Sequence, residues 1–307
     1  MENKYIAPIE KYDAILVGNI AKEIIIDYLG NVTEREGGAL VYAASACISN
    51  GAIIAISTKL AKEDLYLLDP LKARFVDLYE KFNGQTAIIE QRLQSFTHKS
   101  YITKCIRQGA PFHDYDIAEE DTYYYLFLND FYGEMSLDLL AYFSHKAKIA
   151  LDASCYVRQI NKDTKEVEIS DYRHKKYLAS LCDVFKATLE EAKVLTGVDD
   201  PKQMCQIIKS WGANEVLITG DKLLYLIDSD GNFYTCPICE FSNVGQLYCD
   251  TTAFAVYVTQ RITSDPDTAL YSAAALAMIK LQRTGPIKCT RPEINLNLDT
   301  FYYHRHK

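Results

Sequence analysis

The strongest constraint on this chain is a rhythm: short apolar runs that end on a glycine or a carboxylate, each followed by a stretch with helical character. Asp13–Val17 (DAILV) runs into Gly18, Ala52–Ser57 follows a buried Ala-rich segment at Leu40–Ser49, and Lys148–Asp152 ends on an acid. Tyr123–Leu128, Asp183–Ala187 and Glu215–Thr219 repeat the pattern, with helices expected at Glu134–Lys146, Arg173–Ser180, Leu189–Leu195 and Lys202–Trp211. Continuous apolar runs of this length suit strands buried on both faces, and the helices between them supply the crossovers a parallel sheet requires. The expected class is therefore α/β, a central mostly parallel sheet flanked by helices.

Two departures from the rhythm matter. Thr86–Ile106 alternates apolar and polar residues without helical periodicity and reads as two strands, to be paired with Glu23–Val32. A small β lid built from segments near 23–36 and 86–105 is expected to stand off one domain that spans 1–307. Leu223–Asp228 and Gly231–Cys236 read as a hairpin, and Thr251–Ile262 and Pro266–Arg283 as two long apolar helices. Pro70–Phe82 reads as a helix closed by Asn83-Gly84.

Composition narrows function. A net charge of −8 without a Lys/Arg cluster argues against a nucleic-acid partner. No run reaches the roughly 18 apolar residues of a membrane span, and Met1–Lys11 lacks the apolar core of a secretory signal. The nine Cys show no pairing pattern, and Cys236/Cys239 stand alone as a C-x-x-C, so a reduced cytoplasmic setting is expected. The six His have no metal-binding spacing, and no G-x-S-x-G or G-x-x-x-x-G-K-[ST] motif is present.

The order of the remaining motifs resembles the ribokinase-like (PfkB-type) carbohydrate and nucleoside kinases over nearly the whole chain. Val17-Gly18-Asn19 ends the first strand as in that family, and Gly37-Gly38 stands at its first signature, ahead of a buried helix. Ser57–Leu60 through Glu63-Asp64, Ala150–Asp152, Phe185–Gly197, Leu217–Gly220, Gly231–Pro237 and Gly285-Pro286 follow in the family's order. The resemblance implies an ATP- and magnesium-dependent phosphotransferase acting on a hydroxyl of a sugar, nucleoside or polyol, with a lid that can serve as a dimer interface.

The family's second signature, D-T-x-G-A-G-D, is degenerate here. One alignment makes Asp250 the general base, with Leu247 and Cys249 in place of the two glycines; another makes Asp250-Thr251-Thr252 the opening D-T-x. On the first alignment, the backbone N–H groups of Leu247, Tyr248 and Cys249 form the anion hole. Thr219 and Gly220 lie on the nucleotide side, though the second glycine of the family's "T-x-G-x-x-G" is Leu224 here. The resemblance gives Glu191 an indirect, water-mediated role at magnesium. It gives Glu23, Gly37, Gly38 and Tyr42 the acceptor pocket, with Glu23 replacing the usual Asp and Tyr42 an Asn. Asp250 also reads as a first-turn acid at a helix N-terminus. Asp152, at a strand's C-terminal end, lies where open α/β sheets place ligands. The lost glycines motivate the alternative of a relative that binds a small molecule or a protein partner without phosphoryl transfer.

Overall fold

The computed structural model describes residues 11–82, 84–94, 101–117, 122–129, 132–238 and 246–305. In chain order the elements are β1 (Tyr12–Val17), β2 (Ala21–Ile26), β3 (Val32–Gly37), α1 (Ala39–Ser49), β4 (Ile54–Leu60), α2 (Asp69–Lys72), β5 (Asp77–Phe82), β6 (Ala87–Leu93) and β7 (Tyr101–Arg107). They continue as β8 (Tyr123–Leu128), α3 (Leu137–Ser144), β9 (Lys148–Asp152), α4 (Ser154–Val157), β10 (Arg158–Ile160), β11 (Val167–Ile169), α5 (Lys175–Ser180) and β12 (Val184–Thr188). The last are α6 (Leu189–Thr196), α7 (Pro201–Ser210), β13 (Glu215–Thr219), β14 (Leu223–Ile227), β15 (Phe233–Pro237), α8 (Cys249–Gln260), α9 (Pro266–Leu281) and α10 (Arg291–Arg305).

Nine strands form one sheet in the order β15-β14-β13-β12-β9-β8-β1-β4-β5. It is parallel from β13 to β5, and β14 and β15 extend it antiparallel at one end. The period-2 alternation of a strand divides the core between two faces. In β1, Ala14 and Leu16 join α1, α8 and α9 on one side, while Ile15 and Val17 join α3, α5, α6 and α7 on the other. Burial on both faces is why these strands are apolar throughout rather than alternating.

The lid is a separate sheet, ordered β3-β2-β6-β7. β2 pairs antiparallel with β3 and parallel with β6, so the expected pairing of the 86–105 strands with the 23–36 segment holds. Ala21, Ala87, Ile89 and Cys105 from its inner face pack with Ala39 and Tyr132. Lys104 and Glu166 bridge β7 to the β10–β11 hairpin.

One expected helix is wrong. Pro70–Phe82 holds only the four-residue α2, a turn at Phe75 with φ of 57°, and then β5. The free edge of β4 captures Asp77–Phe82 as a parallel strand, and Tyr12 Oη donates to Asp77 Oδ2 at 2.5 Å. The helix expected from Glu134 begins three residues later, where Ser136 caps α3 by accepting the Leu139 N–H at 3.1 Å. The β10–β11 hairpin, α4 and α10 were not expected. Among the described residues no helix is long and apolar enough to cross a membrane. Cys236 is buried, and Cys239 lies outside the described residues.

α8 is bolted to the sheet by a buried polar cluster. Glu215 at the start of β13 accepts from Tyr257 Oη at 2.6 Å and from Arg261 Nη2 at 2.7 Å. Tyr257→Phe removes a hydrogen bond to a charged partner in a fully buried place, so the expected loss is about 1.5–3 kcal/mol in urea unfolding with the m-value unchanged. A loss below about 0.5 kcal/mol would show that the cluster does not anchor this helix.

Candidate active site

The C-terminal ends of the parallel strands open into a cleft of about 720 Å3 beneath the lid. That is the edge where open α/β sheets bind ligands, and the volume is within the range of small-molecule sites, roughly 300–1,000 Å3. Gln91, Tyr101 and Thr103 from the lid, Asn129 and Asp152 from the sheet, and Leu247–Thr251 from the start of α8 share its wall. Thr188, Thr219, Gly220 and Asp221 line another part, where Leu224, Ile238 and Leu281 add an apolar surface.

At the centre is Lys186, the one charged residue in β12 and fully buried. Its ammonium donates to Asp152 Oδ2 at 2.9 Å and to Asp250 Oδ2 at 2.5 Å. A buried ammonium needs paired carboxylates to remain charged. Burial depresses the Lys186 pKa, but Asp152 and Asp250 outweigh that and hold it above the ordinary lysine value. Asp250 occupies the first turn of α8, and its side chain keeps 29% exposure toward the cleft. Burial pushes its carboxyl up, but Lys186 and then Arg158 dominate and hold it below the usual aspartate value. Burial prevails for Asp152, whose pKa is raised.

Arg158 lies beside these carboxylates. Its Nε donates to Glu191 Oε1 at 2.7 Å, and Ser154 Oγ donates to the same oxygen at 2.8 Å. Glu191 Oε2 accepts the Thr188 N–H at 2.9 Å, and Thr188 Oγ1 accepts the Glu191 N–H in return, a capping box that starts α6. Glu191 is thus fully buried one layer behind the cleft wall, with both oxygens engaged. Burial raises its pKa, but Arg158 and Lys186 prevail and hold it below the usual glutamate value. In this geometry its direct effect is to orient Arg158.

The loop before α8 manages without its glycines. Tyr248, the N-cap residue, carries the left-handed conformation at φ 59°, while neither Leu247 nor Cys249 has a positive φ. A side chain in that region costs of order 1–2 kcal/mol; the Tyr248 ring packs against Tyr42, with centroids 4.4 Å apart and the planes tilted by 30°. The Cys249 N–H, one of the expected anion-hole donors, turns back to Gln246 O at 3.2 Å. Gly245 lies outside the described residues.

On the lid side, Glu23 is buried on β2 and accepts from Arg35 Nε at 2.9 Å, and Arg35 Nη2 donates to the Tyr42 hydroxyl at 2.5 Å. Burial dominates and raises the Glu23 pKa despite Arg35. Gly37 exists to make room, because a Cβ there would lie 2.5 Å from Glu23 Cβ. Gly38, the N-cap of α1, has φ 89°. Structure therefore brings Asp250, Leu247, Tyr248, Cys249, Thr219 and Gly220 into one cleft wall, and sets Glu23, Tyr42 and Glu191 behind it.

Among the described residues no group of three or more His, Cys, Asp or Glu is arranged to hold a metal ion. Mg2+ fits instead as an ion carried on donor phosphates and water, the usual mode for this cation. Of the four acidic residues in the wall, Asp250 is held by Lys186, and Asp152 with the exposed Glu190 and Asp221 would be in place to meet its water ligands. For a nucleotide donor, the hydroxyls of Thr188 and Thr219 suit phosphate oxygens and the Leu224–Ile238–Leu281 surface suits a base.

Lys186, Arg158 and Asn129 were missed in the sequence. A lysine inside the apolar run VFKAT was the available signal, since a charge there must be paired. Arg158 and Asn129 gave none.

No protein-family model matches the chain, and no curated protein matches it in sequence. Solved structures do match. A pyrophosphate-dependent kinase in the ribokinase family, as a sulfate complex, superposes with a TM-score of 0.83 at 25% identity over 90% of this chain and 97% of that one. A pyrophosphate-dependent kinase in the ribokinase family complexed with a pyrophosphate analog and myo-inositol gives 0.82 at 24% identity, covering 94% and 99%. Arabidopsis thaliana ribokinase complexed with ribose and ATP gives 0.71 at 14% identity, covering 94% and 99%.

Replacing Lys186 by Met would leave Asp152 and Asp250 facing each other with Arg158 as the remaining cation beside them. The expected cost is about 3–5 kcal/mol in denaturant unfolding, recovered in large part by adding Asp152→Asn. Without the ammonium, a carboxylate of the pair has a raised folded-state pKa, so the deficit shrinks as pH falls from about 8 to about 5. A deficit independent of pH would show that the loss is one of packing.

Proposed function

On the premise of a ribokinase-like, PfkB-type α/β fold, we propose that the chain is a phosphotransferase that moves a phosphoryl group from a phosphoanhydride donor to a hydroxyl of a sugar, polyol or nucleoside. The observation that carries this reading is the placement of Asp250: a carboxylate kept ionised by Lys186, at the first turn of a long helix, in the wall of a cleft closed by a lid.

In this mechanism the acceptor hydroxyl lies against Asp250, which receives its proton as the oxygen attacks the terminal phosphorus of the donor. A base held below its usual pKa removes little proton early, which suits a transition state with small bond formation to the nucleophile. Its larger contribution is orientation, enforced by the 2.5 Å contact to Lys186. Arg158, aimed by Glu191, places a fixed positive charge beside the reacting phosphoryl group. The N-terminal end of α8 adds partial positive charge. Magnesium, when bound, supplies further neutralisation of the phosphates. The lid lowers Gln91, Tyr101 and Thr103 over the acceptor and excludes water.

MgATP is the first donor implied by the fold. Pyrophosphate is a second reading with its own support: the closer structural likeness is to pyrophosphate-dependent kinases, and the positions that bear glycine in nucleotide-binding relatives are Leu224, Leu247 and Cys249 here. The lid's outer edge, with Tyr28, Leu29 and Val32 exposed, supports a homodimer formed through the lid. A cytoplasmic location is part of this reading, in keeping with nine Cys that show no pairing pattern in the sequence.

Product formation from MgATP or magnesium pyrophosphate, with ribose, myo-inositol and nucleosides as acceptors, tests the proposal. Asp250→Asn is expected to lower turnover by roughly 10²–10⁴-fold while leaving the fold intact. Wild-type-like turnover in that variant removes Asp250 from the mechanism. Absence of transfer with every donor and acceptor would favour the alternative of a ribokinase-like protein that binds without phosphoryl transfer.

A further inference from the structure

A second cavity, of about 510 Å3, shares Tyr132 and Arg158 with the cleft and is otherwise separate from it. Its volume is also that of a small-molecule site. The lining holds three cations, Arg158, Lys162 and Lys165, and no carboxylate. That is an unusual surface on a chain of net charge −8. The neighbouring acids are engaged elsewhere or turned away. Glu191 accepts from Arg158 Nε, Glu166 pairs with Lys104, and Glu168 accepts from Asn161 Nδ2 at 2.9 Å. Asp163 shares the turn with the two lysines but does not line the cavity. Among the described residues neither lysine ammonium has a partner, and the two Nη groups of Arg158 make no hydrogen bond.

The two lysines stand on a fixed frame. In the β10–β11 turn, the Asn161 N–H donates to Glu166 O and the Lys165 N–H to Asn161 O, both at 2.8 Å. Asn161 Oδ1 accepts the N–H groups of Asp163 at 3.0 Å and Thr164 at 3.2 Å. The Cys105 N–H on β7 donates to Lys165 O at 3.0 Å and ties the turn to the lid. Such a turn needs one left-handed residue, where glycine or asparagine fits freely. Here it is Lys165, with φ 63°. Tyr132, in the partition, has φ 109°. Two of the four non-glycine residues with positive φ among the described residues thus line this one cavity. Backbone strain of this kind gathers where a ligand is clamped. Cations grouped without a counter-charge attract an anion.

We propose that this cavity is a regulatory site for the phosphomonoester of a small sugar or polyol. Lys162, Lys165 and the Nη groups of Arg158 take the phosphate. Tyr156, Tyr172 and Ile160 cover the carbon skeleton, a wall that a bare phosphate ion would not need. Binding rests on the cavity alone; regulation rests on the phosphotransferase reading, because Arg158 also faces the cleft. An anion in this cavity draws on the same guanidinium as the donor phosphates, so each weakens the other, and the coupling is reciprocal.

The test is the double variant Lys162→Ala/Lys165→Asn. Both lysines are exposed and outside the cleft, and asparagine accepts the left-handed conformation, so Tm and turnover without effector are expected to match wild type. The probes are ribose 5-phosphate and a myo-inositol monophosphate, with D-ribose and inorganic phosphate as controls. In calorimetric titration, one of the two phosphomonoesters is expected to bind wild type with an affinity that falls roughly tenfold or more in the variant. D-Ribose binding is expected to be the same in both proteins, and inorganic phosphate to bind this site roughly tenfold more weakly than the ester. Lys162→Ala alone, on an exposed turn, is expected to give part of the same loss. In transfer assays the ester raises the apparent donor KM of wild type about fivefold or more, and this effect disappears in the variant. Equal ester binding by wild type and both variants overturns the proposal. Equal affinity for inorganic phosphate overturns its sugar-phosphate assignment. Ester binding that depends on the lysines, with no phosphoryl transfer by any of the proteins, supports the site and sinks the kinase reading. Transfer by wild type without lysine-dependent ester binding sinks the site and leaves the kinase reading standing.

Discussion

A single ammonium group organises the centre of this molecule. Lys186 is fully buried in the middle of a parallel sheet, where an isolated charge would be untenable, and it is retained because two carboxylates from other parts of the chain converge on it. One is Asp152, from the neighbouring strand; the other is Asp250, from a helix 64 residues further along. The pairing ties the start of α8 to β9 and β12, and so fixes where the cleft's carboxylate can be. A buried pair of this kind adds little net stability compared with an apolar substitute. What it supplies is position: Asp250 cannot turn away without stranding the lysine.

The same logic recurs one layer back. Glu191 neutralises Arg158 and caps α6, so the capping box that begins a helix also aims a guanidinium at the cleft. Glu215 holds Tyr257 and Arg261 and thereby seats the far end of α8. The helix bearing Asp250 is fixed at both ends by buried charge, which permits a loop in front of it that is itself strained at Tyr248. Strain of that sort persists only where the surroundings over-determine it.

These relations explain what could be read in the sequence and what could not. β8, β9 and β13 were legible to the residue, because continuous apolar runs bounded by turn residues have few alternative uses. The lid's pairing was legible from its period-2 pattern, and α6 from the helical character of Leu189–Leu195. Pro70–Phe82 was misread because an open sheet edge, not the local pattern, decides the state of β5. Asp250 could be singled out by resemblance, yet its partner could not. No local feature links position 186 to position 250, and nothing in a sequence marks an amide such as Asn129 that is left without a bond.

The degenerate signature takes on a different meaning in this light. Glycines before a helix of this kind let the backbone turn its N–H groups toward phosphate. Here the left-handed residue is a tyrosine, whose ring leans on Tyr42, and Tyr42 in turn bonds Arg35 of the lid. The conformation that glycine would adopt freely is imposed by side-chain packing that reaches into the lid. The loop before α8 and the lid strands thus share the contact chain Tyr248–Tyr42–Arg35–Glu23. With a packed residue where a permissive one would serve, the shape of this loop depends on side chains of α1 and the lid.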